Sequence, residues 1–274
     1  MTSWWNKNIE TRMHDFKSWI GDFNQPSKTY CRNYVASKQY KSIVDAGCGL
    51  ASDYFGFKGD QYNINYLGLD SCTYLINLNR TQSIPVIETE LETDLPLSDS
   101  SYDCVYCREV LEHLPYYEKT LSEFIRIASK EVIVVFFIKP LEESEWEEEI
   151  KNRIEKEKNK ILEERRKSNE AALLVNPEYV PEVLPEPVVE ISETEREINY
   201  WKEEDLYHNK YDKKKLENFI MSFPKVDRLF WNTINDFSYV PLNKDEPNQD
   251  LSEPTIKLTE ELTNNKFILH IILK

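Results

Sequence analysis

Aspartates and glycines that could hold a nucleoside ligand lie where two apolar segments end. The segment KSIVDA (41–46) runs directly into the tripeptide GCG (47–49), and Asp45 stands two residues before the first glycine. A strand that feeds Gly-x-Gly into a helix brings backbone N–H groups close to a nucleotide-type ligand. A carboxylate at that position would repel a pyrophosphate and attract a cationic ligand. Asp70 ends the next apolar segment, NYLGLD, where it could accept hydrogen bonds from ribose hydroxyls.

Glycine is scarce in this chain and is concentrated at the same loop. Five of the six glycines fall within positions 47–68, namely Gly47, Gly49, Gly56, Gly59 and Gly68. Glycine costs backbone entropy but allows positive φ angles and close backbone approach, so this concentration predicts a ligand loop. Ser52 stands where a dinucleotide fingerprint has glycine or alanine. Together with Asp45, it favours S-adenosylmethionine, which carries ammonium and sulfonium groups and no phosphate.

Two glutamates and a histidine follow the apolar segment YDCVYC (102–107), at the same edge of the predicted sheet. A helix beginning at Glu109 would place Glu112 and His113 on one face with it, because residues three and four apart are neighbours on a helix. One of these groups could act as a general base on a substrate hydroxyl. Alternatively, the two glutamates and His113 could bind a divalent cation such as Mg²⁺, which would acidify and orient that hydroxyl. The third interpretation is structural, with the helix tied to a neighbouring loop.

Strand-like and helix-like segments alternate along residues 41–138, which predicts a doubly wound α/β sheet. The run EVIVVFFI (131–138) is apolar on both faces, as expected for a central parallel strand covered by helices. After Pro140 the pattern changes to a long charged helix and then to a proline-rich segment. We therefore predict four regions: an N-terminal helical cap (1–40), the S-adenosylmethionine-binding half of the sheet (41–140), an acidic helical and proline-rich insertion (141–200) and a C-terminal completion of the sheet (201–274).

The N-terminal region is expected to cover the ligand. Its aromatic side chains offer flat apolar surface: Trp4, Trp5, Trp19 and Tyr30. Ser27, Lys28 and Arg32 could reach the carboxylate of the methionine part. The alternative is that these residues only pack the N-terminal helices together.

The net charge of −15, from 49 acidic and 34 basic residues, argues against a nucleic acid partner, because polyphosphates prefer basic surfaces. No apolar run approaches the roughly 18 residues of a membrane span, and the first residues lack the apolar region of a secretory signal. Five scattered cysteines suit a reducing cytosol better than a disulfide framework. We therefore expect a cytoplasmic protein that acts on a small molecule and whose insertion could contact other proteins.

Four segments resemble the class I S-adenosylmethionine-dependent methyltransferases, especially the group that modifies small molecules: VDAGCG (44–49), LGLD (67–70), TDLPLSDSSYDCVY (93–106) and EVLEHL (109–114). The resemblance implies a Rossmann-like, seven-stranded sheet whose last strand is antiparallel. It also implies that the ribose of the cofactor contacts Asp70 and that the adenine lies near Glu90, Leu91 and Glu92, with Ser71 as a further cofactor-binding residue. The methionine part would contact Asp45, Gly47, Gly49, Cys107 and Arg108. The Glu-x-x-Glu-His run is similar to the metal-binding pattern of small-RNA 2′-O-methyltransferases and ubiquinone-pathway O-methyltransferases. The former add a later histidine, so this resemblance implies His208 as a fourth ligand beside Glu109, Glu112 and His113.

We predict that the protein transfers a methyl group from S-adenosylmethionine to a hydroxyl of a small molecule. The start of the chain also resembles viral and bacterial methyltransferases found near sugar-modifying genes, which favours a sugar or nucleotide sugar. Glu112 and His113 are the predicted proton acceptors, with His208 and Glu109 in support. Two alternatives stay open: metal-assisted 2′-O-methylation of RNA, and a non-catalytic scaffold that uses the acidic insertion for binding.

Overall fold

A computed structural model describes six stretches of the chain: 25–58, 63–181, 184–190, 200–201, 206–236 and 264–274. Within these stretches the chain forms six α-helices and nine β-strands. The predicted aromatic cover from Trp4, Trp5 and Trp19 lies outside the described residues.

Seven strands form one mixed sheet in the order β3-β2-β1-β4-β5-β9-β8. The strands are β1 Ser42–Ala46, β2 Asn65–Asp70, β3 Val86–Glu88, β4 Tyr102–Arg108, β5 Ala128–Phe136, β6 Tyr200–Trp201, β7 Leu206–Tyr207, β8 Val226–Asp236 and β9 Asn264–Leu273, with β6 and β7 in a separate small ladder. Strands β1 to β5 pair in parallel, and β9 runs antiparallel to both β5 and β8. This confirms the predicted Rossmann-like sheet with an antiparallel last strand.

Helices cover both faces of the sheet, which is why its central strands are apolar on both sides. The helices are α1 Pro26–Ser37, α2 Ser52–Lys58, α3 Thr73–Thr81, α4 Glu118–Ile127, α5 Glu143–Val175 and α6 Lys213–Met221. On one face Phe124 of α4 and Ile220 of α6 are fully buried in a core with Val105 and Val134 of the sheet. On the other face α1 and α2 contribute buried side chains such as Val35 to a second core.

The segment after β4 differs from the predicted helix at Glu109. Glu109 has a left-handed φ of +55°, and a short 3₁₀ turn over Leu111–His113 follows it. The backbone N–H of Glu109 still donates to the carbonyl of Val135, at 2.7 Å. Because Glu109 continues the hydrogen bonding of the sheet and then turns sharply, the prediction that it shares a helical face with Glu112 and His113 is wrong.

The charged insertion begins with α5, which is 33 residues long and starts with a capping box formed by Glu142 and Glu145. Its first turns dock on the rest of the protein through the buried side chains of Trp146 and Ile150. Residues 176–190 follow it, tied back to the helix by the hydrogen bond from Arg165 to the carbonyl of Pro185, at 2.7 Å. Among the described residues, no helix has both the length and the apolar character needed to cross a bilayer.

Candidate functional site

The carboxyl ends of β1, β2 and β4 meet at one edge of the sheet, where the strand order reverses. Strand β1 has β2 on one side and β4 on the other, so the connections that leave it and its neighbours diverge and open a crevice. Asp45 pairs with Tyr106 across the β1–β4 ladder, and Asp70 is the last residue of β2. The fold thus brings Asp45, Asp70 and Arg108 to the same edge.

The loop after β1 needs glycine for two separate reasons. Gly47 and Gly49 have φ angles of +78° and +54°, a region in which side chains are strained. A Cβ on Gly47 would also lie 2.3 Å from a methyl carbon of Val110. The backbone N–H of Gly47 donates to the carbonyl of Leu69, at 2.7 Å, which fastens the loop to β2. The glycines are therefore required by the shape of the loop, as the sequence predicts.

Asp70 is oriented by the backbone of two loops. The N–H of Gly49 donates to its Oδ2 and the N–H of Cys72 to its Oδ1, both at 2.8 Å. Burial raises the pKa of Asp70 above its usual range, although these N–H groups and that of Ser71 oppose the rise. Each carboxylate oxygen can accept more than one hydrogen bond. Asp70 is partly exposed, so its remaining lone pairs can serve a ligand hydroxyl.

Asp45 is almost fully buried beneath the glycine loop, with 4% of its surface exposed. The hydroxyl of Tyr66 donates to its Oδ2 at 2.6 Å. Burial, and to a smaller degree the nearby Asp53, raises the pKa of Asp45 to about 7, against the opposing effects of Tyr66 and Lys28. A carboxyl group in this position carries negative charge only part of the time at neutral pH, and a cation placed beside it would favour the charged form.

The N-terminus of α1 is held at the same edge by a residue that the sequence analysis missed. Asp236, at the end of β8, accepts hydrogen bonds from the backbone N–H of Ser27 at 2.7 Å and from its hydroxyl at 2.6 Å. The ammonium of the buried Lys28 donates to the hydroxyl of Ser52 at 2.7 Å, and burial lowers its pKa. Of the side chains predicted to reach a ligand carboxylate, Lys28 therefore contacts the start of the helix that follows the glycine loop, whereas Ser27 is bonded to Asp236.

Arg32 was predicted to act with them, but its guanidinium pairs with Asp53 at 3.6 Å. The contact between Asp236 and Ser27 could not be predicted, because the two residues are 209 positions apart and no sequence pattern indicates that they meet.

Arg108 joins these elements through a second ionic network. Its Nη2 donates to the side-chain oxygen of Gln25 at 2.7 Å and lies 2.9 Å from a carboxylate oxygen of Glu109. Lys266 of β9 reaches the same oxygen of Glu109 at 2.7 Å. Although burial opposes it, the two cations hold the pKa of Glu109 below its usual range. Glu109 therefore pairs with both Arg108 and Lys266, and Asp236, 3.5 Å from Arg108, supplies the second negative charge. Lys266 is a second residue that sequence reasoning missed.

Glu112 is fully buried and joins the turn after β4 to the end of β5. Its Oε1 accepts hydrogen bonds from the backbone N–H groups of Phe137 at 2.7 Å and Ile138 at 3.3 Å. Burial raises the pKa of Glu112 to about 8, despite these N–H groups. A neutral carboxylic acid that clamps two strands together is a poor proton acceptor. This geometry favours the structural interpretation of Glu112 over the catalytic one.

His113 is oriented by a backbone carbonyl and lies beside His208. Its Nδ1 is 2.8 Å from the carbonyl oxygen of Tyr207, and a carbonyl can only accept, so Nδ1 carries the proton. The rings of His113 and His208 are 5.2 Å apart between centroids, and Phe137 lies 5.3 Å from His113. Burial lowers the pKa of His113 to about 4. The imidazole is therefore neutral at physiological pH, with Nε2 as its acceptor nitrogen.

The predicted Mg²⁺ site is not formed by these residues. In the part of the chain that the structure describes, no group of three or more histidine, cysteine, aspartate or glutamate side chains could hold a metal ion. Glu109 forms ion pairs with Arg108 and Lys266, and Glu112 accepts backbone hydrogen bonds. His113 and His208 form a neighbouring pair. The two glutamates are thus engaged apart from the histidine pair, and the four predicted ligands form no common site among the described residues, which corrects the metal prediction.

The remaining predicted cofactor residues follow β2 and β3 or end β4. Ser71 and Glu92 are partly exposed, and burial raises the pKa of Glu92. Leu91 is buried, and its carbonyl accepts a hydrogen bond from Thr120 of α4 at 3.1 Å. The side chain of Cys107 is fully buried in the core. Ser71 and Glu92 are thus the members of this set whose side chains reach the surface.

Known proteins share both the sequence pattern and the fold. Residues 44–136 match the family model described as a methyltransferase domain. This stretch holds the glycine loop, Asp70 and the turn after β4. The fold and the site thus define a Rossmann-like domain with a crevice at the carboxyl ends of its strands. In sequence over residues 44–136, and in fold, this domain is similar to the class I S-adenosylmethionine-dependent methyltransferases.

Several solved structures have the same fold at low sequence identity. One belongs to the complex between the Trm112 methyltransferase activator of Haloferax volcanii and a methyltransferase; it is 13% identical, with a TM-score of 0.52, and covers 100% of this chain and 98% of that chain. A methyltransferase from Thermotoga maritima is 14% identical, with a TM-score of 0.51 and full coverage of both chains. Magnesium protoporphyrin IX methyltransferase from Synechocystis, with S-adenosylhomocysteine bound, is 11% identical, with a TM-score of 0.53, covering 100% of this chain and 98% of that chain.

A curated relative adds little about activity. An uncharacterized 37.1 kDa protein in a transposon of Streptomyces fradiae is 32% identical over 92 residues. The match covers 32% of this chain and 27% of that protein. This chain therefore matches only about a quarter of the relative's length.

Proposed function

We propose that the protein transfers a methyl group from S-adenosylmethionine to a hydroxyl oxygen of a small molecule, with a sugar or nucleotide sugar as the favoured acceptor. The observation that carries this proposal is the orientation of His113. Its Nδ1–H donates to the carbonyl of Tyr207 at 2.8 Å, so Nε2 is the nitrogen that can take a proton. A hydroxyl group, unlike a thioether, must lose a proton when it is methylated.

The residues at the sheet edge fit the cofactor. Gly47 lets Val110 pack directly against the backbone of the loop, because a Cβ at position 47 would lie 2.3 Å from a Val110 methyl carbon. Asp70 is held by two backbone N–H groups and has lone pairs left for a ligand. We assign Asp70 to the ribose hydroxyls and Asp45 to the positive charge of the methionine part. Lys28 is assigned to its carboxylate. When bound, the cofactor supplies an electrophilic methyl group on a sulfonium sulfur.

His113 acts on the acceptor in this proposal. The acceptor hydroxyl would become strongly acidic as its oxygen is methylated, and Nε2 of His113 would take its proton. A low pKa makes the imidazole a weak base, so proton transfer accompanies methyl transfer rather than preceding it. His208 and Phe137 flank the ring of His113 and confine its orientation. Glu112 is a positioning residue that holds the turn on β5.

The acidic character of the chain supports a small acceptor over RNA. The net charge is −15, and the cations at the edge, Arg108 and Lys266, are both paired with Glu109. A polyphosphate binds strongly when cationic side chains of the protein displace the counterions condensed on it. Side chains that are already paired with a carboxylate do this poorly.

The test is methyl transfer from isotopically labelled S-adenosylmethionine to a panel of nucleotide sugars, free sugars and phenols. Nuclear magnetic resonance of the labelled product shows whether the methyl group is on oxygen. His113→Gln should lower kcat by about 10²- to 10⁴-fold, whereas Tyr116→Phe, an exposed substitution near the same turn, should not. Methylation of nitrogen or carbon, or an unaffected His113→Gln enzyme, would contradict the proposal.

A further inference from the structure

Helix α5 presents a stripe of alternating charges on its surface. Glu148, Lys151, Glu155 and Lys158 follow one another at spacings of three, four and three residues, and Leu162 continues the series. Residues at these spacings lie on one side of a helix. Glu148, Lys151, Glu155 and Leu162 are exposed, and Lys158 is partly exposed. The stripe is thus a continuous, accessible line of two negative and two positive charges.

The charges of the stripe differ from most others on the helix in having no ion pair with a described residue. Most of the other charges on α5 form ion pairs within the chain. Along the helix these are Glu149–Arg153, Glu157–Lys160, Glu163–Arg166, Glu163–Lys167 and Arg166–Glu170, and with other segments they are Glu143–Lys214, Glu145–Lys139 and Glu149–Lys210. The body of the protein contacts a different side of the helix, through Trp146 and Ile150. The stripe is therefore available for a partner.

The stripe is self-complementary: when two copies are placed antiparallel, each charge of one copy faces an opposite charge of the other. In an antiparallel pair related by a two-fold axis midway between Lys151 and Glu155, Glu148 of one copy faces Lys158 of the other, and Lys151 faces Glu155. Each of the four contacts then joins opposite charges. A two-fold interface uses the same patch on both subunits, so a self-complementary patch is what such an interface requires. We propose that α5 is the interface between two copies of this chain, paired antiparallel through this stripe.

The far end of α5 has apolar surface that this arrangement would place against the partner. Leu174 and Val175 are 87% and 88% exposed. At 1.5 Å per residue, Leu174 lies about 32 Å along the helix from the proposed two-fold axis. Glu143, at the start of α5, lies about 15 Å from the axis on the other side. The apolar end therefore extends past the start of the partner's helix and over the partner's body, where burial of these side chains favours association.

Sedimentation velocity on the full chain tests the proposal. We expect a concentration-dependent dimer at low salt that weakens as salt screens the charges. The double variant Lys151→Glu/Lys158→Glu makes all four contacts like-charged, and so does Glu148→Lys/Glu155→Lys. Each variant alone should therefore show a dimer dissociation constant at least about tenfold higher than the wild type.

An equal mixture of the two variants restores opposite charges at all four contacts and should restore the dimer as a heterodimer. The matched control is Lys156→Glu/Lys167→Glu, which makes the same change of net charge on a side of α5 turned away from the stripe and should leave the dimer unchanged. Circular dichroism checks that each variant keeps its helix. A wild-type chain that stays monomeric, a dimer that survives both reversals, or a mixture that does not recover would overturn the proposal.

Discussion

Cofactor binding should depend on pH through Asp45. This carboxyl group is buried, bonded to Tyr66, and has its pKa raised to about 7, mainly by burial and then by Asp53. A cationic ligand beside Asp45 prefers the ionised form, so binding has to release the proton that the free protein holds below pH 7. If only the ionised form binds, the dissociation constant of S-adenosylmethionine should be about tenfold higher at pH 6 than at pH 8.

Isothermal titration calorimetry at pH 6, 7 and 8 measures this dependence, and buffers with different ionisation enthalpies count the protons released. Asp45→Asn is the control, because it removes the titrating group but keeps an oxygen that can accept from Tyr66. The variant should bind more weakly at pH 8 and lose the part of the pH dependence that Asp45 causes. The amino group of the ligand titrates equally in both proteins. A wild-type dissociation constant that is the same at pH 6 and 8, or a variant with the wild-type profile, would refute the reasoning.

The same raised pKa affects the stability of the ligand-free protein. A carboxyl group whose pKa is higher in the folded than in the unfolded state stabilises the fold below its unfolded pKa, and this contribution is lost as the pH rises through the folded pKa. The pKa of Asp45 rises from the ordinary value of 3.8 to about 7. The free energy of unfolding should therefore fall by at most about 4 kcal/mol between these two pH values. The melting temperature of Asp45→Asn should therefore exceed that of the wild type at pH 8 and approach it near pH 4.

Four substitutions, at three positions on the sheet edge, test the other assignments. Gly47→Ala should abolish cofactor binding and lower the melting temperature, because the new Cβ would lie 2.3 Å from Val110 in a left-handed backbone. Glu112→Gln should retain most of the stability and activity, because its amide oxygen can accept the hydrogen bond from Phe137 and the side chain resembles a neutral acid. Glu112→Ala should lower the free energy of unfolding by about 1–3 kcal/mol, because it leaves buried backbone N–H groups unpaired. His113→Asn should lower kcat at pH 7 without changing the dissociation constant of the cofactor.

Each of these has an outcome that would contradict it. Unchanged calorimetric binding by Gly47→Ala would show that the loop does not form a cofactor cradle. Loss of activity in a fully folded Glu112→Gln protein would return Glu112 to a catalytic role. A cofactor dissociation constant raised in parallel with the fall in kcat of His113→Asn would mean that the histidine supports the cofactor site instead of the acceptor.

The sequence determined the sheet and the glycine loop because both depend on local patterns. An apolar run such as residues 131–138 can be satisfied only by burial on both faces, and the alternation of such runs with amphipathic helices leaves few topologies. The loop at Gly47 and the carboxylate of Asp70 were likewise predictable, since a positive φ angle and the end of a strand leave local signals. The long helix in the insertion also followed from its own composition.

Only the tertiary structure decided which charged groups meet and what they can do. Asp236 caps α1 at Ser27, 209 positions away, and Lys266 joins Glu109 from the last strand; neither contact has a local pattern. The burial that makes Glu112 a neutral clamp and the carbonyl that fixes the proton of His113 depend on segments folded against them. The sequence shows which side chains are present and how they are spaced. Their charge and role depend on burial and on hydrogen-bond partners, and both arise only after distant segments have packed together.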